Sequence, residues 1–235
     1  MVVRCVMSAF PMLTCLARGG VMERAGYDSR IIENWTVRFE RRAWGGLDND
    51  LARVLEVKLR EISQVLPIKP LEGLRLTVPI IADYATPDFP AVAVYHWTGA
   101  EPWLARHGEP ADKAGSINIL QAAEFLSVVQ DVGRYPAALL HEVAHAFHDR
   151  FVPGGSRNSE IVEAYQRAVR SGIYENVMNV TGKAHRANAI ANAMEYFANT
   201  TTAYFLRNDD WPEDRAELAM RDPFGLRVIQ SLWET

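Results

Sequence analysis

The chain has 235 residues, 49% hydrophobic, 10% aromatic and 23% charged, with a formal net charge of -4. This is the composition of an ordinary globular protein and excludes collagen-like, coiled-coil and disordered chains. No nucleic-acid partner is expected, because phosphate neutralisation needs clustered Lys and Arg, and no apolar run approaches the ~20 residues of a membrane span.

Residues 1–27 read as a separate N-terminal segment. The first twenty pair Arg4 with an apolar stretch from Cys5 to Ala17, the outline of a secretory signal, though Pro11 interrupts it and Met22 offers an alternative start. Secretion is expected if residues 1–20 are a signal, and a cytoplasmic protein otherwise. The sequons at Asn34, Asn179 and Asn199 matter only in the exported case. Cys5 and Cys15 are the only cysteines, so disulfide and cysteine-zinc frameworks are excluded.

Residues 28–235 read as one domain, without repeats, low-complexity tracts or a Gly/Ser linker. Trp35, Val37 and Phe39 alternate with polar neighbours and predict a strand. After Gly45-Gly46, the positions Leu51, Val54, Leu55, Leu59, Ile62, Val65 and Leu66 keep helical spacing, with Asp48 or Asp50 as cap and Pro67 and Pro70 closing the helix. Strands are predicted at 74–81 and 91–97, separated by a turn-rich stretch. A short strand follows at 116–119, and from Pro136 onward the pattern is helical, broken at Gly154-Gly155, Gly172 and Gly182.

The first late helix, Tyr135 to Phe151, contains His141-Glu142-x-x-His145. Histidines four residues apart lie about 40° apart on a helix and one turn along it, so both rings can reach one tetrahedral zinc. Glu142, about 100° round, can instead hold the attacking water and take its proton. A zinc site needs a third ligand. His148 shares the face but lies about 10 Å along the axis from His141, which suits a groove wall better than a ligand. Glycine and histidine are missing from the places where a metzincin needs them, which His148 and Phe151 occupy. A second helix, 192–205, carries Glu195, which could turn inward.

His141-Glu142-x-x-His145 followed by Glu195-Tyr196-Phe197-Ala198 resembles the gluzincin metallopeptidases. It looks most like small bacterial and fungal proteins related to the catalytic domain of anthrax lethal factor, over roughly Trp35 to Trp233. The resemblance implies Glu195 as third ligand and Glu142 as general base. Two places depart from the family pattern. Where relatives carry an acid to orient a zinc-bound histidine, this chain has Asn199, whose carbonyl could accept the imidazole N–H without a charge, with Asp149 as a substitute. Where they carry an oxyanion-stabilising tyrosine, it has Asn188. Losing one such donor typically costs about 2.7 to 4 kcal/mol; Asn188, His185 and Tyr174 are the candidates to replace it.

The strand 116–119 reads either as an edge that pairs with an extended substrate or as an inner strand. Tyr95, His96, Trp97 and Trp103 read as cleft rim or core packing. The expected architecture is a zincin-like α+β domain, a small mixed or antiparallel sheet beside a helical half that carries the HExxH helix and the Glu195 helix. The expected activity is peptide-bond hydrolysis with one Zn2+ and a peptide or protein substrate. The competing expectation is a zinc-stabilised, weakly active or inactive binding protein on the same scaffold. Oligomeric state is left open.

Overall fold

The structure, a computed structural model, describes residues 26–86, 91–131, 135 and 137–234. The expectations for the signal-like leader, Cys5, Cys15 and Met22 lie outside the described residues. β1 (Tyr27–Ile32) and β2 (Trp35–Glu40) form an antiparallel hairpin. Its turn residues, Glu33 and Asn34, both have positive φ, 48° and 65°, the mirror-type turn whose twist suits a hairpin. Trp35, Val37 and Phe39 are buried as expected. β1 has no such alternation, since only Ile32 of its six residues is buried.

Helix α1 (Leu47–Val65) buries Leu51, Leu55, Leu59 and Ile62 as one stripe. Its cap is Gly46 at φ 95°, without a side-chain bond, while Asp48 and Asp50 fall in the first turn, where they still meet the positive end of the helix. Pro67 ends α1 only by starting α2 (Ile68–Thr77), and Pro70 lies in the first turn of α2, where its missing N–H needs no partner. The predicted strand over 74–81 is therefore mostly helix, with only β3 (Ile80–Ala82) extended. Leu71 and Leu74, three apart, bury on one helical face, and that packing overrides the β-branched composition.

β4 (Ala93–Tyr95) and β5 (Ile117–Ile119) complete a mixed sheet in the order β1-β2-β3-β5-β4. The β2–β3 and β3–β5 pairs are parallel, while β1 and β4 run antiparallel at the two edges. The strand at 116–119 is thus an inner one, fully buried, and β4 is the edge. The other half holds α3 (Glu101–Arg106), α4 (Ala122–Gln130), α5 (Ala138–Arg150), α6 (Ser159–Ser171), α7 (Ala193–Phe205), α8 (Arg215–Arg221) and α9 (Pro223–Trp233). A two-stranded hairpin, β6 (Val177–Met178) with β7 (Ala184–His185), interrupts the expected helical run. Side chains of Asn158, Asn192, Asp214 and Asp222 cap α6, α7, α8 and α9.

Rings hold the helical half together. Phe147 of α5 stacks on Trp233 of α9 with centroids 3.7 Å apart and lies 6.3 Å from Phe197 of α7. Helix α7 is buried from Glu195 to Tyr204 despite its Asn-Thr-Thr-Thr centre. Thr200 and Thr202 satisfy their hydroxyls on the carbonyls of Tyr196 and Asn199, and Thr201 accepts the Trp233 indole N–H. Buried hydroxyls are tolerated when they are bonded in this way.

Candidate metal centre

Helix α5 is buried along its whole length from Ala138 to His148, between β4 on one flank and α7 on another. His141 and His145 share the face toward α7, and Glu195 enters from the first turn of α7, whose start Asn192 fixes by accepting the N–H groups of Met194 and Glu195. One ligand atom from each of His141, His145 and Glu195 lies within 4.8 Å of the others, and all three residues are buried. The His141 and His145 Nε2 atoms are 3.0 Å apart. Glu195 places Oε2 3.2 Å from His141 Nε2 and Oε1 3.5 Å from His145 Nε2.

Each member is held from behind. The Tyr135 hydroxyl lies 2.8 Å from His141 Nδ1, so Nε2 is the nitrogen presented to the cluster. Asn188 donates its amide to Glu195 Oε2 at 2.6 Å. Burial alone would raise the Glu195 carboxyl, but the facing imidazoles of His145 and His141 outweigh it and hold the carboxyl well below the usual range. Glu195 Oε1 is buried with no hydrogen-bond partner among the described residues. Such an orphaned oxygen costs free energy unless a cation or donor meets it. Two imidazole nitrogens and one carboxylate oxygen are the protein ligands of a catalytic zinc with its fourth position open, and these residues fit one.

Glu142 is buried beside the cluster and accepts the Tyr95 N–H on Oε2 at 2.6 Å. That amide belongs to the outer side of β4, because the backbone of the next residue, His96, bonds Ser116 and Gly115 on the inner side. Glu142 is therefore anchored to the edge strand of the sheet. A cleft of about 220 Å³ opens there, lined by Tyr95, Trp97, His145, His148, Asp149, Ser156 and Met194.

His141, His145 and Glu195 come together as anticipated, with Glu142 next to them. His148 lines the cleft and bonds the Gly155 carbonyl at 3.0 Å, a groove wall outside the ligand group. Burial, with His145 adding to it, lowers its pKa to about 4. The remaining expectations need correction. Asn199 donates its amide to the Glu195 carbonyl one turn back at 2.9 Å and is bonded to neither imidazole among the described residues. It is also 5% exposed, which leaves no room for a glycan. Asp149 takes the Tyr95 hydroxyl and both the N–H and hydroxyl of Thr98, each at 2.8 Å; it ties the edge strand to α5 and orients no histidine. Tyr174 is buried with its hydroxyl on Asp222, and His185 pairs with Asp210 at 2.9 Å. Trp97 lines the cleft, whereas His96 is 1% exposed and Trp103 stacks on His107 at 4.1 Å.

The residues that sequence reasoning passed over are Tyr135 and Asn192. Asn192 carries a recognisable signal, an Asn three residues ahead of Glu195 at the start of an apolar pattern. Tyr135 carries none.

No family model matches the sequence, and no curated protein matches it. Among solved structures the chain is similar to the Pro-Pro endopeptidase PPEP-2 from Paenibacillus alvei, with a TM-score of 0.50 and 16% identity over 86% of this chain and 99% of that one. At that identity the likeness concerns the fold. The fold is α+β and zincin-like, a small sheet beside a helical half in which α5 and α7 meet at a His-His-Glu group able to hold a metal ion.

Proposed function

We propose that this protein is a zinc-dependent peptide hydrolase of endopeptidase type, with one Zn2+ held by His141, His145 and Glu195 and with Glu142 as general base. The observation that carries this reading is the buried His-His-Glu cluster whose Glu195 Oε1 has no hydrogen-bond partner among the described residues. The fold shared with an endopeptidase supports a peptide substrate, as does the resemblance of the two motifs to lethal-factor-like proteins. When bound, zinc polarises the scissile carbonyl and makes water more acidic. Glu142 takes the proton of the attacking water and returns it to the leaving amine. Apart from the Tyr95 N–H that Glu142 takes, the outer side of β4 beside the cleft is the edge on which an extended peptide would pair.

One observation favours a second reading. Tyr174 and His185, two of the three residues anticipated as oxyanion donors, are committed to Asp222 and Asp210, and the third, Asn188, donates to Glu195. A zinc-stabilised binding protein that cleaves slowly or not at all would share the cluster without needing that donor.

The test is metal analysis of the purified chain beside cleavage of a mixed peptide library with and without a zinc chelator. Chelator-sensitive cleavage supports the hydrolase, and one zinc per chain without cleavage supports the binding protein. Glu142→Gln is expected to keep its zinc and lose about 10²- to 10⁴-fold in rate. Full activity in that metal-replete variant would refute the base assignment.

A further inference from the structure

Asn188 begins the single 3-10 turn Asn188–Ile190 that leads into α7. Two neighbours fix it. Its carbonyl accepts the Ala191 N–H at 2.9 Å, and the N–H of Ala187 just before it bonds the Tyr174 carbonyl at 3.0 Å. The side chain is thereby aimed inward, where Nδ2 reaches Glu195 Oε2 at 2.6 Å.

The two oxygens of Glu195 are consequently unequal. Oε2 accepts the Asn188 amide and lies 3.2 Å from His141 Nε2, while Oε1 is buried, has no hydrogen-bond donor among the described residues and lies 3.5 Å from His145 Nε2. A donor on one oxygen fixes the plane of a carboxylate and leaves the other oxygen's lone pairs for a cation. Without it, a carboxylate only 1% exposed would face the imidazoles alone, and its plane would be set by them.

We propose that Asn188 is a positioning residue for the ligand carboxylate, holding Glu195 through Oε2 so that Oε1 is the oxygen offered to the metal. The inference rests on the zinc-centre reading above.

The experiment measures the zinc dissociation constant of the purified full chain by competition with a chromogenic chelator. Asn188→Leu keeps the shape of the side chain but removes the donor, and is expected to weaken zinc binding 10- to 100-fold. Asn188→Gln keeps an amide and should recover most of that loss, which a merely structural role for the position would not predict. Should Asn188→Leu fail to fold by circular dichroism, Asn188→Ala at this half-buried site serves in its place. Zinc affinity of the donor-less variant within twofold of the parent overturns the positioning role. A parent chain that binds no zinc overturns the metal-centre reading itself, a different and separable result.

Discussion

Tyr135 decides which nitrogen of His141 faces the cluster. With its hydroxyl 2.8 Å from Nδ1, the ring is held with Nε2 toward Glu195, and partners of this kind typically contribute 10- to 100-fold to metal affinity. Tyr135→Phe is therefore expected to weaken zinc binding by that factor while leaving the fold intact. Chelator competition on the two proteins checks it, and equal affinities would mean that packing alone orients the ring. Tyr135 was invisible in the sequence because a lone Tyr ahead of a helix carries no spacing rule. His141, Glu142 and His145 were legible because their geometry is local, set by four residues of helix. Glu195 needed the resemblance, since no rule links two helices fifty residues apart. The expectation for Asn199 failed for a local reason. A helical Asn has a carbonyl one turn behind it, and its amide bonds that of Glu195 ahead of any more distant ring.

Helix α7 is the element whose environment departs furthest from its composition. Asn-Thr-Thr-Thr reads as solvated, yet all four are buried, because each hydroxyl finds a carbonyl or the Trp233 indole. Trp233, 0% exposed and stacked on Phe147, bolts α9 across both α5 and α7. Trp233→Ala should cost about 3 to 5 kcal/mol, measured by urea unfolding of the metal-free protein. A loss under about 1 kcal/mol would mean that α5 and α7 hold each other without α9. The long helices were readable from stripes such as Leu51, Leu55, Leu59 and Ile62. The sheet was not, because β3, β4 and β5 have three residues each, too few to show a period. Leu74 to Thr77 looked extended by composition and was captured by the packing of α2.

Across the whole molecule, buried charge is handled in two opposite ways. Beneath the sheet, Lys113 is fully compensated: it donates to Asp83 and Glu109, both at 2.6 Å, and Asp83 also accepts from Tyr27, Thr86 and Asn118, tying the start of β1 to β3 and β5. Beside the β6–β7 hairpin, Asp209 and Asp210 stand next to each other, and His185 pairs with Asp210 at 2.9 Å. Burial, then the neighbouring Asp210 charge, pushes the Asp209 carboxyl up from 3.8 to about 7. Asp210 is also raised, first by burial; His185 is raised because its bond and attraction to Asp210 exceed the opposing effect of burial. A carboxyl raised on folding binds more protons in the folded state, so the stability present below about pH 4 is lost as the pH climbs to about 7 and stays lost above it. The displacement would be worth about 4 kcal/mol for a group sealed from water; Asp209 is only half-buried, so about 2 kcal/mol is expected. Asp209→Asn should then match the parent near pH 4 and exceed it at pH 8, by about 4 to 8 °C in Tm for a chain of this size. Thermal melts of both proteins from pH 4 to 8 decide it: parallel curves would place the pH dependence elsewhere, because Asp210 and His185 are present in both proteins and the difference between the two curves isolates the Asp209 proton site.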